Sequence, residues 1–412
     1  MRSAILPASE IPGHTSAGLL SSMKLPNLPN NDRPFVSGGI EVTLTPVRSA
    51  AELEDEWRSL EARSDCLFFT SWSWIGCWLE CLPAQFEPLV LRATIEGRVV
   101  GLAIVVPRAL RRNKIVFVNA LFLNTTGDPF YDQITIEYNG FLLERASEDK
   151  VEDAMWLCLR CACPRVEEMR AETMRAMIRA PTSSDFEVKT WIRRSFLVDL
   201  QRVRDREGSL VAVLKQKPRY AIRRSMRQYG EIGALRIEVA QDVQAALSAL
   251  EQLKMLHQSS WNSRGKPGAF ANDFLNAFHD RLIKQSFLRG EIQVVSIYVG
   301  DRTLGVLYNF VFRGRVYTYQ AGLDHSVADR TDSPGLVAHC LAVEFNARQG
   351  HEFYDFMVGD HLYKRSLSTS MEELYSVVVQ RRKLKFAIED KLRAWKRAAR
   401  SRTQQATDAV RA

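Results

Sequence analysis

Long apolar runs are missing from this chain of 412 residues. None approaches the ~20 residues that a membrane-spanning helix needs, which argues against a helical transmembrane protein. Near the N-terminus only Gly18-Leu19-Leu20 is apolar, too short for the core of a signal peptide. The expected location is therefore the cytoplasm. Paired metal-ligand clusters are also missing. Cys158, Cys161 and Cys163 form a C-x-x-C-x-C run, but no second group of cysteines or histidines stands at ligand spacing, so no metal is expected. Seven cysteines is an odd number and fits free thiols in a reducing compartment. There is no G-x-x-x-x-G-K-[ST] loop, no G-x-G-x-x-G turn and no G-x-S-x-G elbow. A P-loop, a dinucleotide fold and a hydrolase triad lose their sequence support.

What is present is an ordinary globular composition, 46% hydrophobic and 25% charged. At this length one core stops growing, so two domains are the default. The net charge of +8 suggests anionic partners without naming one. Residues 1–38 are rich in Pro, Ser and Asn and read as a disordered leader. Glu41–Val47 reads as a strand and Ala50–Ala62 as a helix. Phe68–Leu82 reads as a second helix whose Trp74 and Trp78 share one face, as core or as a ligand platform. Glu167–Arg179 reads as a charged, weakly amphipathic segment. Lys383–Arg400 is a basic amphipathic helix that either docks on the body or lies on an anionic membrane.

The stretch Tyr317–Lys364 organises the chain. Val316–Gln320 suits a covered strand. After a polar loop, Ser333-Pro334-Gly335 opens a helix, with Ser333 as cap and Pro334 in the first turn. Gly350 stops it, and His351–Val358 reads as the next strand. The helix start offers free amides to an anion, and the strand end brings Asp355, Asp360, His361 and Lys364 nearby. A plain αβ unit with a charged turn fits the same spacing. Two other regions carry charge. Asp128, Asp132 and Glu137 sit among apolar residues and would be costly to bury unpaired; by themselves they read as a polar loop with Asp128 in a turn. Gly208–Gly230 holds Lys215, Lys217, Arg219, Arg223, Arg224 and Arg227 with Tyr220 and Tyr229 interleaved. It reads as an anion-binding helix or a solvated face.

Tyr319, Gly322, Asp324, Ser333-Pro334-Gly335, Asp355-Phe356, Gly359 and Tyr363-Lys364, in that order, resemble the GNAT-type acetyltransferases of the CelD/BcsL kind, related to the FemAB peptidyltransferases. Weaker resemblance runs from about Glu41 to about Val378 and includes Trp261. It implies an α/β (α+β) fold of tandem GNAT-like lobes, mixed central sheets flanked by helices. The expected organisation is a leader at 1–38, a degenerate N-terminal lobe at 39–200, an acyltransferase lobe at 201–380, and a basic helix and tail at 381–412.

The resemblance implies acyl transfer, with acetyl-CoA as co-substrate and a sugar or envelope-polysaccharide precursor as acceptor. Lys364 is the implied donor to the tetrahedral oxyanion. Asp355 is the candidate base, expected to be partly buried with a raised pKa, and His361 is another. Tyr319 and Asp324 position the acceptor, with Gly322 and Tyr363 beside them. Lys217, Arg219, Arg223 and Trp261 belong to the binding set, and a GD … D … EYN pattern similar to the family's implies that Asp128, Asp132 and Glu137 line the cleft. One departure stands out: the Q/R-x-x-G-x-G/A loop of coenzyme A enzymes is replaced by Ala328-Asp329-Arg330-Thr331-Asp332-Ser333-Pro334-Gly335. Two alternatives stay open: a FemAB-like aminoacyltransferase using aminoacyl-tRNA, and a non-catalytic binding module. The expected partner is an anionic small molecule or glycan precursor, with membrane-surface contact through 383–400 on the inner face and no specific nucleic acid.

Overall fold

The structure is a computed structural model that describes residues 34–112, 115–161, 163–177, 185–327, 333–392 and 395. Residues 1–33 of the expected leader lie outside this range. Its last part is structured: β1 (Phe35–Ser37) pairs with β2 (Ile40–Pro46) across the Gly38-Gly39 turn. Then α1 (Ala50–Glu61) buries Leu53, Trp57 and Leu60. The tryptophan-rich stretch is split, with a short 3-10 turn at Phe68–Thr70 before α2 (Trp72–Cys81). Trp74 and Trp78 are buried there, so the stripe is core and not a ligand platform.

The first half continues through β3 (Leu89–Ile95), β4 (Arg98–Arg112), β5 (Val116–Leu123), β6 (Leu142–Leu143), α3 (Glu148–Cys161) and β7 (Glu168–Met174). β7 replaces the charged, weakly amphipathic segment expected at 167–179. Its charges are tolerated inside the sheet because Arg112, Arg170 and Gln380 all converge on Glu168. Arg170 lies two residues along the same strand, but Arg112 and Gln380 come from distant strands, which the local sequence does not display. Next come β8 (Phe186–Asp199), α4 (Leu200–Arg204), α5 (Leu210–Val213) and α6 (Gln216–Ile232). The second half holds β9 (Leu235–Val239), α7 (Val243–Asn262), α8 (Asp273–Ser286), β10 (Ile292–Val299), β11 (Arg302–Phe312) and β12 (Arg315–Leu323). It ends with α9 (Pro334–Arg348), β13 (Phe353–Val358), α10 (Leu362–Leu367) and β14 (Ser370–Arg381).

Every strand except β6 lies on one path, in the order β1-β2-β3-β4-β5-β7-β14-β8-β13-β12-β11-β10-β9. The two halves repeat one arrangement, an antiparallel meander followed by a parallel pair. β5 pairs parallel with β7, and β12 pairs parallel with β13. Parallel neighbours need a long crossover, supplied by α3 in the first half and α9 in the second. The strand that follows each parallel pair is exchanged. β8 pairs with β13, and β14 pairs with β7. β8 and β14 then pair with each other from Ser370↔Leu197 to Arg381↔Phe186, joining the halves.

Alternation along the strands divides the core. Leu102, Ile104 and Val106 join a cluster with α1, α2, α7 and α8 that spans both halves. Ala103 and Val105 face α3 on the other side of the first half. On that side of the second half, β8 to β13 pack against α4, α5, α6 and α9. The mixed sheet flanked by helices is the expected fold class.

Gly322 lets α7 lie against β12, since a Cβ there would stand 2.5 Å from the Leu253 carbonyl oxygen. Gly322→Ala therefore has to push helix backbone away. It should cost about 2 kcal/mol, read as a lower urea midpoint. Gly230→Ala in α6, where an added Cβ meets nothing within 4 Å, should be neutral or stabilising by about 0.5 kcal/mol.

Candidate active site

β13 breaks its own pattern where it pairs with β8. The register shifts between Asp355 and Val358, and Met357 adopts φ +62°. A non-glycine residue there is strained and needs outside support. Asp355 provides it. Its Oδ1 accepts from the Met357 N–H at 2.7 Å and from Ser195 Oγ at 2.8 Å. Its Oδ2 accepts from Arg315 Nε at 3.1 Å and Nη2 at 2.9 Å. Arg315 also donates to the Tyr138 hydroxyl at 2.6 Å and to Glu372 at 2.8 Å. Asp355 is 0% exposed. With both oxygens doubly engaged it has no lone pair for a substrate proton. The expectation that Asp355 is the base is therefore corrected: it holds the bulge.

The bulge turns the peptide groups of 357 and 358 toward two charges. Lys364 Nζ donates to the Met357 carbonyl at 3.1 Å and the Val358 carbonyl at 2.7 Å. The Val358 N–H donates to Glu137 Oε2 at 2.8 Å. A cation from the second half and a carboxylate from the first thus flank one stretch of backbone. Gly359, at φ +137°, completes the turn into α10; a Cβ there would press on Lys364 Nζ at 3.2 Å. Two N–H groups of Lys364 are used and the third remains. Among the described residues, no donor reaches Glu137 Oε1.

Both charges are nearly buried. Burial pulls Lys364 down to about 8, opposed by the attraction of Glu137 and then Asp355. Burial pushes Glu137 up to about 7, opposed by Lys364 and by the Val358 amide. The pair therefore titrates around neutral pH as one coupled system. Of the three acids expected at the cleft, Glu137 is the one whose charge acts on Lys364, with the 357–358 backbone between them. Asp132 accepts from the Thr126 N–H and hydroxyl, both at 2.8 Å, and burial raises it to about 6. Asp128 accepts from the Phe130 N–H at 3.0 Å and from Arg108 at 3.3 Å. These two acids fold their own loop.

The other expected residues divide between support and surface. The Tyr319 hydroxyl donates to the Ile134 carbonyl and its ring packs on Trp74 and His279, so it ties the halves together. Asp324 accepts from the Ser326 N–H and hydroxyl at 2.8 and 2.6 Å, a local turn beyond β12. Ser333 and Pro334 start α9 as expected, although Ser333 makes no side-chain cap bond. Its N–H reaches Ser225 Oγ of α6 at 3.5 Å, which sets the basic helix beside the start of α9. Gly335 packs closely on Leu323, and residues 328–332 lie outside the described range. Lys217 and Arg223 are exposed on α6. Arg219 instead donates to the Ala212 and Leu214 carbonyls, closing the end of α5. The Trp261 indole donates to His257 Nε2 at 2.9 Å. Tyr363 is stacked between His339 and His361, with centroids 5.4 and 6.1 Å away.

Sequence reasoning missed Arg315, Ser195, Tyr138, Glu372 and His339. Arg315 had a signal, since it shares a strand face with Tyr317 and Tyr319, where a lone cation demands a buried anion. His339 had less, as one histidine in an apolar helix; burial holds it down to about 3.

Residues 216–365 match the family model for an acetyltransferase (GNAT) domain. That span contains Lys364 and Asp355 and excludes Glu137. No curated protein matches the chain. Among solved structures, FemX aligns with a TM-score of 0.51 at 9% identity, over 80% of this chain and 96% of that one. The C-terminal domain of a putative lysylphosphatidylglycerol synthetase from Agrobacterium fabrum aligns at 0.48 and 13% identity, over 84% and 96%. A tandem GNAT protein from the clavulanic acid biosynthesis pathway aligns at 0.42 and 10% identity, over 82% and 98%. The FemX likeness is one of fold.

Removing the cation that neutralises Asp355 should be severe. Arg315→Met leaves a buried charge unpaired and should cost about 3–5 kcal/mol in chemical denaturation. Adding Asp355→Asn to that variant should recover part of the loss.

Proposed function

We propose that this protein transfers an acyl group to an amine or hydroxyl, with Lys364 and Glu137 as the working pair. The observation that carries the reading is their placement on either side of the bulged 357–358 peptides, each with hydrogen-bonding capacity to spare. The GNAT match over 216–365 supports the reaction class. In this reading the second half, 201–380, supplies the acyl-transfer site, and the first half, 39–200, supplies the base.

The chemistry follows from the charges. When the acceptor attacks the acyl carbonyl, negative charge gathers on the carbonyl oxygen. The remaining N–H of Lys364 meets it in a nearly water-free site, where such a contact is stronger than in solution. The attacking nitrogen or oxygen must shed a proton, and Glu137 takes it. The carbon–sulfur or carbon–oxygen bond to the donor then breaks, and the proton passes to the departing thiolate or alkoxide. Asp355 does not touch the reactants; it keeps the peptides that orient both charges.

Acetyl-CoA is the proposed donor. The uncapped start of α9 and the exposed Lys217 and Arg223 on the neighbouring α6 suit its phosphates. The proposed acceptor is a sugar or envelope-polysaccharide precursor. That choice rests on the motif order from Tyr319 to Lys364 that resembles the CelD/BcsL group. The basic α6 also fits the aminoacyl-tRNA alternative, so the donor is decided by assay.

Thiol release from acetyl-CoA in the presence of amino-sugar and sugar acceptors is the test. Lys364→Met should lower kcat by about 10²–10³-fold. Glu137 must be ionised, so kcat/KM should rise through about pH 7. Lys364 must stay protonated, so kcat/KM should fall beyond about pH 8. Glu137→Gln should remove the acidic limb along with most of the rate. Transfer abolished by RNase would replace acetyl-CoA with aminoacyl-tRNA as donor. No transfer with either donor would leave a binding module.

A further inference from the structure

The chain after β14 has two unlike faces. Residues 384–392 are helical. Phe386 is buried and Glu389 is 3% exposed, and Glu389 pairs with Arg112 of β4 at 3.4 Å. Asp390 pairs with Lys189 of β8 at 2.6 Å. Lys383 and Lys385 both clasp Glu167 at the entry to β7, at 2.6 and 2.7 Å. One side of this helix is thus fastened to the sheet by an apolar anchor and several ion pairs.

The opposite side is apolar and open. Leu384, Ile388, Leu392 and Trp395 are 78%, 50%, 49% and 69% exposed. Their spacing of four, four and three residues places them within an arc of roughly 80° on a helix of 3.6 residues per turn. Four large apolar side chains in one exposed stripe are unusual on a surface that faces water alone. The sequence that carries the stripe is strongly basic. From Arg381 to Arg402 the sequence has ten Lys and Arg against two acids, Glu389 and Asp390. Both acids are paired with the sheet, Glu389 buried and Asp390 part-exposed. The outward side is left with an apolar stripe and Lys391, which is exposed beside it.

We propose that this helix is the docking surface of the protein for a bilayer that carries anionic headgroups. An interfacial helix needs an apolar face to enter the acyl boundary and cations to meet the headgroups. A tryptophan at the end of the stripe suits the interface, where its ring is apolar and its N–H stays wet. A second copy of the chain is the poorer occupant. Two such surfaces would bring like charges together, and the two acids of the helix are already paired with Arg112 and Lys189. The inference is independent of acyl transfer, because Arg112, Glu167 and Lys189 are not part of the Lys364–Glu137 site.

The test is co-sedimentation of the full chain with vesicles of phosphatidylcholine, with and without a minority of phosphatidylglycerol. Binding is expected to the anionic vesicles, to weaken with added salt, and to shift tryptophan emission to shorter wavelength. The shift should be lost in Trp395→Phe. Ile388→Glu combined with Leu392→Glu should lower the partition coefficient about tenfold or more. Both positions are about half exposed, so the melting temperature should be unchanged. The proposal is overturned if the wild type ignores anionic vesicles, or if the double variant binds them equally well. It is overturned too if light scattering without lipid finds a dimer that the same double variant dissociates.

Discussion

A buried ion pair sets the geometry of this molecule. Asp355 and Arg315 face each other across the parallel strands β13 and β12, and neither could be buried alone without a large penalty. Together they are satisfied, because Ser195, Met357, Tyr138 and Glu372 take the remaining bonds. The same carboxylate that neutralises Arg315 caps a strained residue in the bulge of β13. The bulge in turn presents two carbonyls and one amide at 357–358 in directions a regular strand would not allow. Those three backbone groups hold Lys364 and Glu137. A structural pair thus fixes the positions of a chemical pair, and the strain at Met357 is maintained by the network around it.

The halves depend on each other for the same reason. Lys364 belongs to the second and Glu137 to the first, so neither half holds both. The exchange of β8 and β14 makes their relative position rigid, because the two strands run side by side along most of their length. The aromatic cluster spans the halves as well, with Phe68 stacked on Phe310 at 4.4 Å and Tyr319 bound to Ile134. A change in how the halves pack would move the base relative to the oxyanion donor, and small displacements of that kind weaken catalysis strongly.

Much of this was legible in the residues, and the failures have physical causes. The start of α9 was readable because Ser333-Pro334-Gly335 is a local signal. Helical spacing put Trp74 and Trp78 on one face, and their burial decides for core over ligand platform. Lys364 came from a motif resemblance. Glu137 was grouped with Asp128 and Asp132, since a carboxylate in a loop looks the same whether it folds its own turn or faces a distant lysine. Asp355 looks like a base in the sequence, which does not show that Arg315 lies beside it. The exchange of β8 and β14 was not readable at all. Which strand pairs with which is decided by register and burial across the whole sheet, not by the pattern within either strand. The strand β7 is hidden in the sequence because two of the three partners of Glu168, Arg112 and Gln380, lie far away in the chain.

The central claim is that burial beside Glu137 makes Lys364 an oxyanion donor poised near neutral pH. The most direct measurement is an NMR titration of Lys364 Nζ in labelled protein, with and without Glu137→Gln. A midpoint near 8 is expected in the wild type, falling further when the neighbouring carboxylate is neutralised. A midpoint at the ordinary lysine value of 10.5 in both proteins would contradict it, because the ammonium would then be solvated and uncoupled from Glu137.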